Sequence, residues 1–179
     1  TTTNLSTGSG TRGIIAGGRN NGSGRNYIQF ANADTTGNFQ DFGDLTSNTR
    51  VPIVISSRVF GHICGGYQSN YTANCQRVTF ASTGNAVDSG IDLTQAKYNG
   101  GGTGNATRGL YIGGTTVTNS NGAVSSPTRS VTLGGSASGR INNIQYVTIS
   151  TTGNAADFGD LIGTRTPNAG ASSNAIRGI

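Results

Sequence analysis

The residues best suited to chemistry in this chain are one histidine and two cysteines that lie close together in the sequence. His62 and Cys64 alternate along a short apolar segment, and Cys75 follows eleven residues later. Imidazole and thiolate groups bind zinc, but a structural zinc site needs four ligands. A lone histidine in an apolar segment is usually a core residue, and catalysis would require a positioned partner. We therefore favour a structural role for His62 and expect no metal site.

The two cysteines leave two alternatives open. Both replace apolar residues on two successive predicted strands of one hairpin, where a free cysteine packs as a small hydrophobic residue. Cysteines on neighbouring strands also meet the geometry of a disulfide. Cys64 and Cys75 therefore form either one disulfide or two buried thiols.

Aspartates occur in pairs that recur along the chain. Paired carboxylates can hydrolyse glycosidic bonds, but a catalytic pair does not need three copies. Aspartate in a glycine-rich turn accepts hydrogen bonds from backbone N–H groups, and it also pairs with arginine. We therefore expect structural roles rather than catalysis or calcium binding. The pairs are Asp41 and Asp44, Asp88 and Asp92, and Asp157 and Asp160.

Composition limits the elements that position these residues. Of the 179 residues, only 32% are hydrophobic and 11% are charged, while Gly, Thr, Asn and Ser make up about half. Residues that favour helices are scarce, whereas Val, Ile and Thr favour strands. The net charge of +5 is spread along the chain, without the clustered bases that indicate nucleic-acid binding. The composition predicts a turn-rich all-β protein, and no apolar segment is long enough to span a membrane.

The sequence is an internal repeat marked by a recurring turn. Thr-Gly-Asn occurs at 36–38, 83–85 and 152–154. Around each copy the chain has an apolar strand ending in Gly-Gly, a polar loop, an alternating strand, the turn and an aspartate-rich segment ending in leucine. This order predicts three or four short strands in about 47 residues, which is the length of one propeller blade.

The repeats divide the chain into segments of a single array. We expect the end of a preceding repeat, three repeats and the start of a fourth at 1–11, 12–57, 58–107, 108–176 and 177–179. The third repeat would carry an insertion at 115–136. Three blades do not close a propeller, so we expect the array to be incomplete or to be completed by other chains.

The order of features resembles the kelch-type β-propeller repeat. The tryptophan that usually precedes the leucine in kelch repeats is replaced here by Phe42, Ile91 and Phe158. Thr-Gly-Asn-Ala-x-Asp-Phe-Gly-Asp-Leu, together with Arg-Gly-x-x-x-Gly-Gly, is also similar to repeats in structural and tail-fibre-like proteins of marine tailed phages. The resemblance implies kelch-like blades and a role in a virion or fibre.

Two sets of side chains follow different patterns. Arginines that open the apolar strand of each repeat are expected to be structural and to join one blade to the next; they are Arg12, Arg58 and Arg108. Others fall in the variable loops 18–26, 66–74 and 115–141. Because loops on rigid scaffolds carry binding functions, we treat these residues as candidates for anionic or sugar ligands. They are Arg19, Arg25, Tyr67, Tyr71, Arg129 and Arg140.

These features predict a non-enzymatic structural protein of a virion or fibre, with loops available for attachment to host-surface glycans. A secreted, lectin-like propeller that binds glycans is the alternative. We expect the partners to be other copies of the chain, other virion or fibre proteins, and cell-surface glycans, without nucleic acid or membrane insertion. The expected location is a virion or the extracellular space, and no cofactor is expected.

Overall fold

All regular elements in the described part of the protein are β-strands. The computed structural model describes residues 5–114, 122–136 and 140–165, which fall into two compact units, 1–98 and 99–179. The fifteen strands in these ranges pair only in antiparallel fashion. The predicted all-β class is confirmed. Within these ranges no helix is long and apolar enough to cross a membrane.

Sheet 1 opens the first unit. Its strands are β1 (Leu5–Ser9), β2 (Arg12–Ala16), β3 (Arg19–Asn20), β4 (Ser23–Asn32) and β5 (Gln40–Thr49). Four of them form a meander in the order β1-β2-β4-β5, and the short β3 folds onto β4. Ile14 and Ile28 are fully buried on adjacent strands, as their alternation with more exposed residues predicts.

Sheet 2 completes the first unit with four strands in chain order. They are β6 (Ile53–Ser56), β7 (Phe60–Cys64), β8 (Asn74–Thr79) and β9 (Val87–Asp92). One apolar core joins sheets 1 and 2. Its buried members are Ile14, Ala16, Ile28, Phe30, Phe42, Leu45, Val54, Ile63, Val78, Phe80 and Ala86.

The second unit contains two further sheets. Sheet 3 is the hairpin of β10 (Gly100–Gly104) and β11 (Gly109–Gly113). Sheet 4 has four strands in chain order, which are β12 (Gly122–Ser125), β13 (Arg129–Ser136), β14 (Arg140–Thr148) and β15 (Ala156–Arg165). Sheets 1, 2 and 4 thus share the same antiparallel meander.

Part of the predicted insertion is regular sheet. The repeat spacing predicts an insertion at 115–136 and a variable loop at 115–141, but β12 and β13 are two of the four strands of sheet 4. The reason is the alternation from Ser130 to Leu133, which ends in Gly-Gly as the strand from Arg12 does. The expectation of a loop is therefore wrong for the described part of this segment. Residues 115–121 and 137–139 lie outside the described residues.

Sheets 1 and 2 each begin one strand before the Gly-Gly strand that marks a predicted repeat, whereas the third predicted repeat starts in sheet 3. β1 precedes Arg12, and β6 precedes Arg58. The repeat read from the sequence therefore starts at the second strand of a sheet and ends with the first strand of the next one. The expected start of a fourth repeat at 177–179 lies outside the described residues.

Candidate functional site

The recurring sequence motifs join sheet 1 to sheet 2. The Thr-Gly-Asn turn of sheet 2 lies against the Asp-Phe-Gly-Asp segment of β5. The amide of Gly84 donates a hydrogen bond to the carbonyl of Phe42 at 2.7 Å, and the amide of Ala86 donates to the carbonyl of Asp44 at 2.8 Å. The side-chain oxygen of Asn85 accepts a third bond from the amide of Asp44 at 3.0 Å. The turn therefore extends β5 by a short ladder between two sheets.

A glycine makes this close approach of backbones feasible. Gly43 has a φ of +144°, and a Cβ atom built on it would lie 2.4 Å from the carbonyl oxygen of Gly84. Gly43 stands opposite Ile28, next to a register shift in the β4–β5 ladder. Because glycine alone adopts this conformation without strain and leaves this space empty, the residue type is dictated by the junction.

Two of the repeat arginines also connect sheets. The Arg12 guanidinium donates to the carbonyl of Phe80 in sheet 2, and that of Arg108 donates to the carbonyl of Ile149 in sheet 4 at 2.9 Å. Both acceptors stand three residues before Thr-Gly-Asn. The charged donors make these bonds stronger than neutral ones. The third repeat arginine, Arg58, lines a cleft beside Arg12.

A glutamine adds another bond to the junction of sheets 1 and 2. The side-chain oxygen of Gln76 accepts a hydrogen bond from the amide of Thr46 at 2.8 Å. Gln76 is a buried polar residue, and Gln29 and Gln145 occupy the same repeat position. A buried polar group needs such a partner, so this residue type also serves the junction.

Three tyrosines form a cluster at the Gly-Gly end of sheet 2. The rings of Tyr71 and Tyr98 stack with centroids 4.8 Å apart and planes 6° from parallel. Tyr67 meets Tyr71 edge to face at 5.6 Å. The guanidinium of Arg50 lies 5.3 Å from the centroid of Tyr67. Since Tyr71 remains half exposed, the cluster presents aromatic surface to solvent.

The backbone fixes this tyrosine cluster from two sides. Arg50 and Tyr67 exchange two backbone hydrogen bonds of 2.8 and 2.9 Å. The amide of Gly66 donates to the carbonyl of Lys97 at 2.8 Å, which holds the segment that carries Tyr98. Tyr67 and Tyr71 were predicted from the 66–74 loop, but Arg50 and Tyr98 were not, because both belong to segments remote from that loop.

The phenol of Tyr98 in this cluster is neutral at physiological pH. Burial, followed by a side-chain hydrogen bond with Tyr71, raises the pKa of Tyr98 above its usual value of 10.0. The phenol therefore stays neutral around pH 7. Neutral aromatic rings with hydroxyl groups suit the apolar face and the hydroxyls of a sugar.

The other candidate loop residues lie on strands. Arg19 is in β3 and Arg25 is in β4, where both line a cleft with Tyr27. Arg129 and Arg140 belong to β13 and β14 rather than to the expected 115–141 loop. The guanidinium of Arg129 lies 4.8 Å from the centroid of the Tyr146 ring, so Arg129 makes a contact within sheet 4.

Three of the six paired aspartates accept hydrogen bonds through their side chains. Asp88 accepts from the amide of Gly90 at 2.8 Å, and Asp92 accepts from the amide of Cys75 at 3.1 Å. Asp157 accepts from a neighbouring asparagine side chain at 3.2 Å. The other members of the pairs lie on β5 and β15 and are Asp41, Asp44 and Asp160. Among the described residues, the repeat arginines Arg12 and Arg108 donate to backbone carbonyls.

The cysteines and the histidine lie on the β7–β8 hairpin. Cys64 and Cys75 face each other across the ladder and are joined by a disulfide, with their Cα atoms 4.1 Å apart. The sulfurs are therefore not free to bind a metal. Among the described residues, no group of three His, Cys, Asp or Glu side chains is placed to hold a metal ion.

We expect the stability of the first unit to fall as the pH drops below 6.5. Burial, followed by the positive charge of Arg77, lowers the pKa of His62 below its usual 6.5. The unfolded chain then binds a proton more readily than the folded one. The contribution of His62 to stability is therefore fully present above pH 6.5 and is lost as the pH falls from 6.5 to the pKa of the folded state. One group changes the unfolding constant by at most about tenfold per pH unit. Urea denaturation at several pH values measures this.

The matched variant for this test is His62→Gln, which removes the only histidine. It should flatten the dependence of unfolding free energy on pH in this window. An unchanged slope would show that another group causes it.

Comparison with known proteins leaves the chain without an assigned family. No protein-family model matches it, and no curated protein is similar enough to count as a relative.

Proposed function

We propose that this chain is a non-enzymatic structural protein of a virion or fibre. Its scaffold would be a β-propeller-like array of kelch-type blades, and its exposed loops would attach to cell-surface glycans. Other copies of the chain or other virion or fibre proteins would be its partners, in a virion or the extracellular space. The resemblance to phage structural repeats first suggested this role.

The observation that carries this proposal is the ladder between sheets 1 and 2. Residues that recur in the sequence, rather than unique ones, make this junction, as expected for an array in which each unit is stabilised by its neighbours. Four antiparallel strands in chain order are also the content of one propeller blade. Because the recurring residues form contacts between neighbouring sheets, they favour a role in assembly over a role in catalysis.

Light scattering followed by electron microscopy of the isolated full chain tests the proposal. Ordered particles or polymers are the expected result. A monodisperse monomer of 18.1 kDa at every protein concentration would contradict the structural role.

The tyrosine cluster favours a second candidate, a secreted glycan-binding protein of the lectin type. Half-exposed Tyr71, stacked on Tyr98, offers a rigid platform for a sugar ring. For any sugar that the wild-type chain binds, we expect Tyr71→Ala to weaken binding by at least about tenfold, because aromatic anchors dominate such contacts. Calorimetric titration against a panel of neutral and acidic sugars measures this.

Tyr27→Ala is the control for the lectin test. Tyr27 is similarly exposed but lines the cleft of Arg19 and Arg25 instead. Loss of binding in this variant alone would move the site to that cleft. Saturable binding by a monomer would favour the lectin over the virion or fibre protein.

A further inference from the structure

We infer that a cleft between sheets 1 and 2 binds the acidic group of a glycan, a carboxylate or a sulfate ester, through Arg12 and Arg58. The inference rests on the proposed attachment to cell-surface glycans, and it names the ligand class and the site. The cleft has a volume of about 320 Å³, and sites for small molecules have volumes of about 300 to 1,000 Å³. It lies within the first unit, at the strand ends opposite to the Gly-Gly pairs.

The backbone of Phe80 brings the two arginines together. The guanidinium of Arg12 donates to the carbonyl of Phe80. The amide of Phe80 donates to the carbonyl of Val59, the residue after Arg58, at 2.9 Å. Both arginines line the cleft, and no carboxylate lies among the described residues that line it. Two positive charges therefore share one cleft without an acidic side chain beside them.

Both arginines are carried by fixed backbone. The guanidinium of Arg12 lies 4.6 Å from the centroid of the Phe30 ring, and its bond to the carbonyl of Phe80 leaves other N–H groups for a ligand. Arg58 lies in a turn that Ser57 closes, because the Ser57 hydroxyl accepts from the amides of the two residues after Arg58 at 3.2 and 3.0 Å. Groups that are already positioned lose less entropy on binding.

Arg58 does not share the structural position of Arg12. Arg12 is the first residue of β2, whereas Arg58 stands two residues before β7, which begins at Phe60. Arg58 is exposed, and its side chain has no hydrogen bond or ion pair with the other described residues. Its guanidinium is thus accessible to a ligand.

A matching junction in the second unit shows that the fold does not require this arginine. There, the carbonyl of Ile149 accepts from the guanidinium of Arg108 at 2.9 Å, and the amide of Ile149 donates to the carbonyl of Thr128 at 2.8 Å. The residue before Thr128, in the place of Arg58, is Pro127. Because the same bonds form without a second arginine, the pair of guanidinium groups distinguishes the cleft of the first unit.

The lining of the cleft suits an acidic sugar. Arginine presents its N–H groups in a planar fork that matches the oxygens of a carboxylate or a tetrahedral oxyanion. The side chains of Thr11 and Asn32 also line the cleft and can bond to sugar hydroxyls, and Val59, 53% exposed, can contact the apolar face of the ring. A neutral sugar would leave both arginines without an anion, so the cleft favours an acidic glycan.

Arg58→Gln tests the inference, with Lys97→Gln as its matched control. Each variant removes one positive charge from the first unit, but Lys97 lies at the Gly-Gly end, where its carbonyl accepts from the amide of Gly66. We expect the full chain to bind dextran sulfate or polygalacturonate, but not neutral dextran. Arg58→Gln should raise the dissociation constant by at least about tenfold, because it removes charge-assisted hydrogen bonds. Lys97→Gln should leave the constant nearly unchanged.

Calorimetric titration at one ionic strength measures the binding, and circular dichroism checks that both variants fold. A wild-type chain that binds neither acidic polymer would overturn the inference. Equal weakening by the two variants would also overturn it, because net charge rather than the cleft would then attract the polymer. A single-stranded oligonucleotide that binds as tightly, with the same dependence on Arg58, would overturn the assignment to glycans.

These outcomes are distinct from the failure of the structural function. Each of them leaves that function standing, because light scattering and electron microscopy of the full chain decide it. A monomeric chain that binds an acidic glycan through Arg58 would overturn the structural role and support the cleft.

Discussion

Replacing Gly43 by valine should destabilise the first unit by about 2 to 6 kcal/mol. A side chain at φ +144° strains the backbone, which costs on the order of 1 to 3 kcal/mol. Its Cβ would also lie 2.4 Å from the carbonyl oxygen of Gly84, and relief of such a clash in a packed region costs about 1 to 3 kcal/mol. Because the oxygen is backbone and the backbone of residue 43 fixes the Cβ position, neither atom can move without disturbing the ladder between the sheets. Chemical denaturation followed by circular dichroism measures the loss.

Gly159→Val separates the two contributions. Gly159 shares the sequence and the φ of Gly43, but nothing lies within 4 Å of its Cβ position. Measured in dilute protein, it should report the backbone strain alone, about 1 to 3 kcal/mol. The difference between the variants then gives the contribution of the junction. Equal losses would mean that the Thr-Gly-Asn turn at 83–85 does not stabilise sheet 1.

The strands were predictable because their pattern is local. Alternation of apolar residues identified β2, β4, β7 and β8, and the repeated turn marked the end of the third strand in sheets 1, 2 and 4. The strand-like copy at 128–135 is likewise visible in the sequence and corresponds to β13, whereas β12 was not predicted. The longer interval between Thr-Gly-Asn turns predicted an insertion there because it exceeds the repeat length.

The candidate site was less predictable because it depends on contacts between remote segments. Tyr67 and Tyr71 belong to one loop, but their neighbours Arg50 and Tyr98 reach them through β-bridge pairing and a glycine contact. The recurrence of Gly43 and Asn85 in the repeat was visible in the sequence. Their relation was not visible, because Gly43 must leave space for the turn that contains Asn85 only where the two sheets meet.

Removal of the disulfide should cost about 3 kcal/mol in the unfolding of the first unit. Cys64 and Cys75 are eleven residues apart, and a cross-link over a loop of this size restricts the unfolded chain by about that amount. Denaturation of the native protein and of Cys64→Val/Cys75→Val measures the difference, because valine retains most of the buried apolar volume. Intact mass should rise by about two hydrogens on reduction of the native protein. An unchanged mass would contradict the bond.

The lower stability of the variant should also affect the tyrosine cluster, because the disulfide closes the loop that carries Tyr67 and Tyr71. With the bond absent, that loop still has the backbone bonds of Tyr67 to Arg50 and of Gly66 to Lys97. These bonds should keep the stacked rings in place until the hairpin opens. Near-ultraviolet circular dichroism of the variant should therefore resemble that of the native protein at low denaturant and be lost at a lower midpoint. A variant that lacks the aromatic signal without denaturant would show that the disulfide, rather than the β-bridge, positions the cluster.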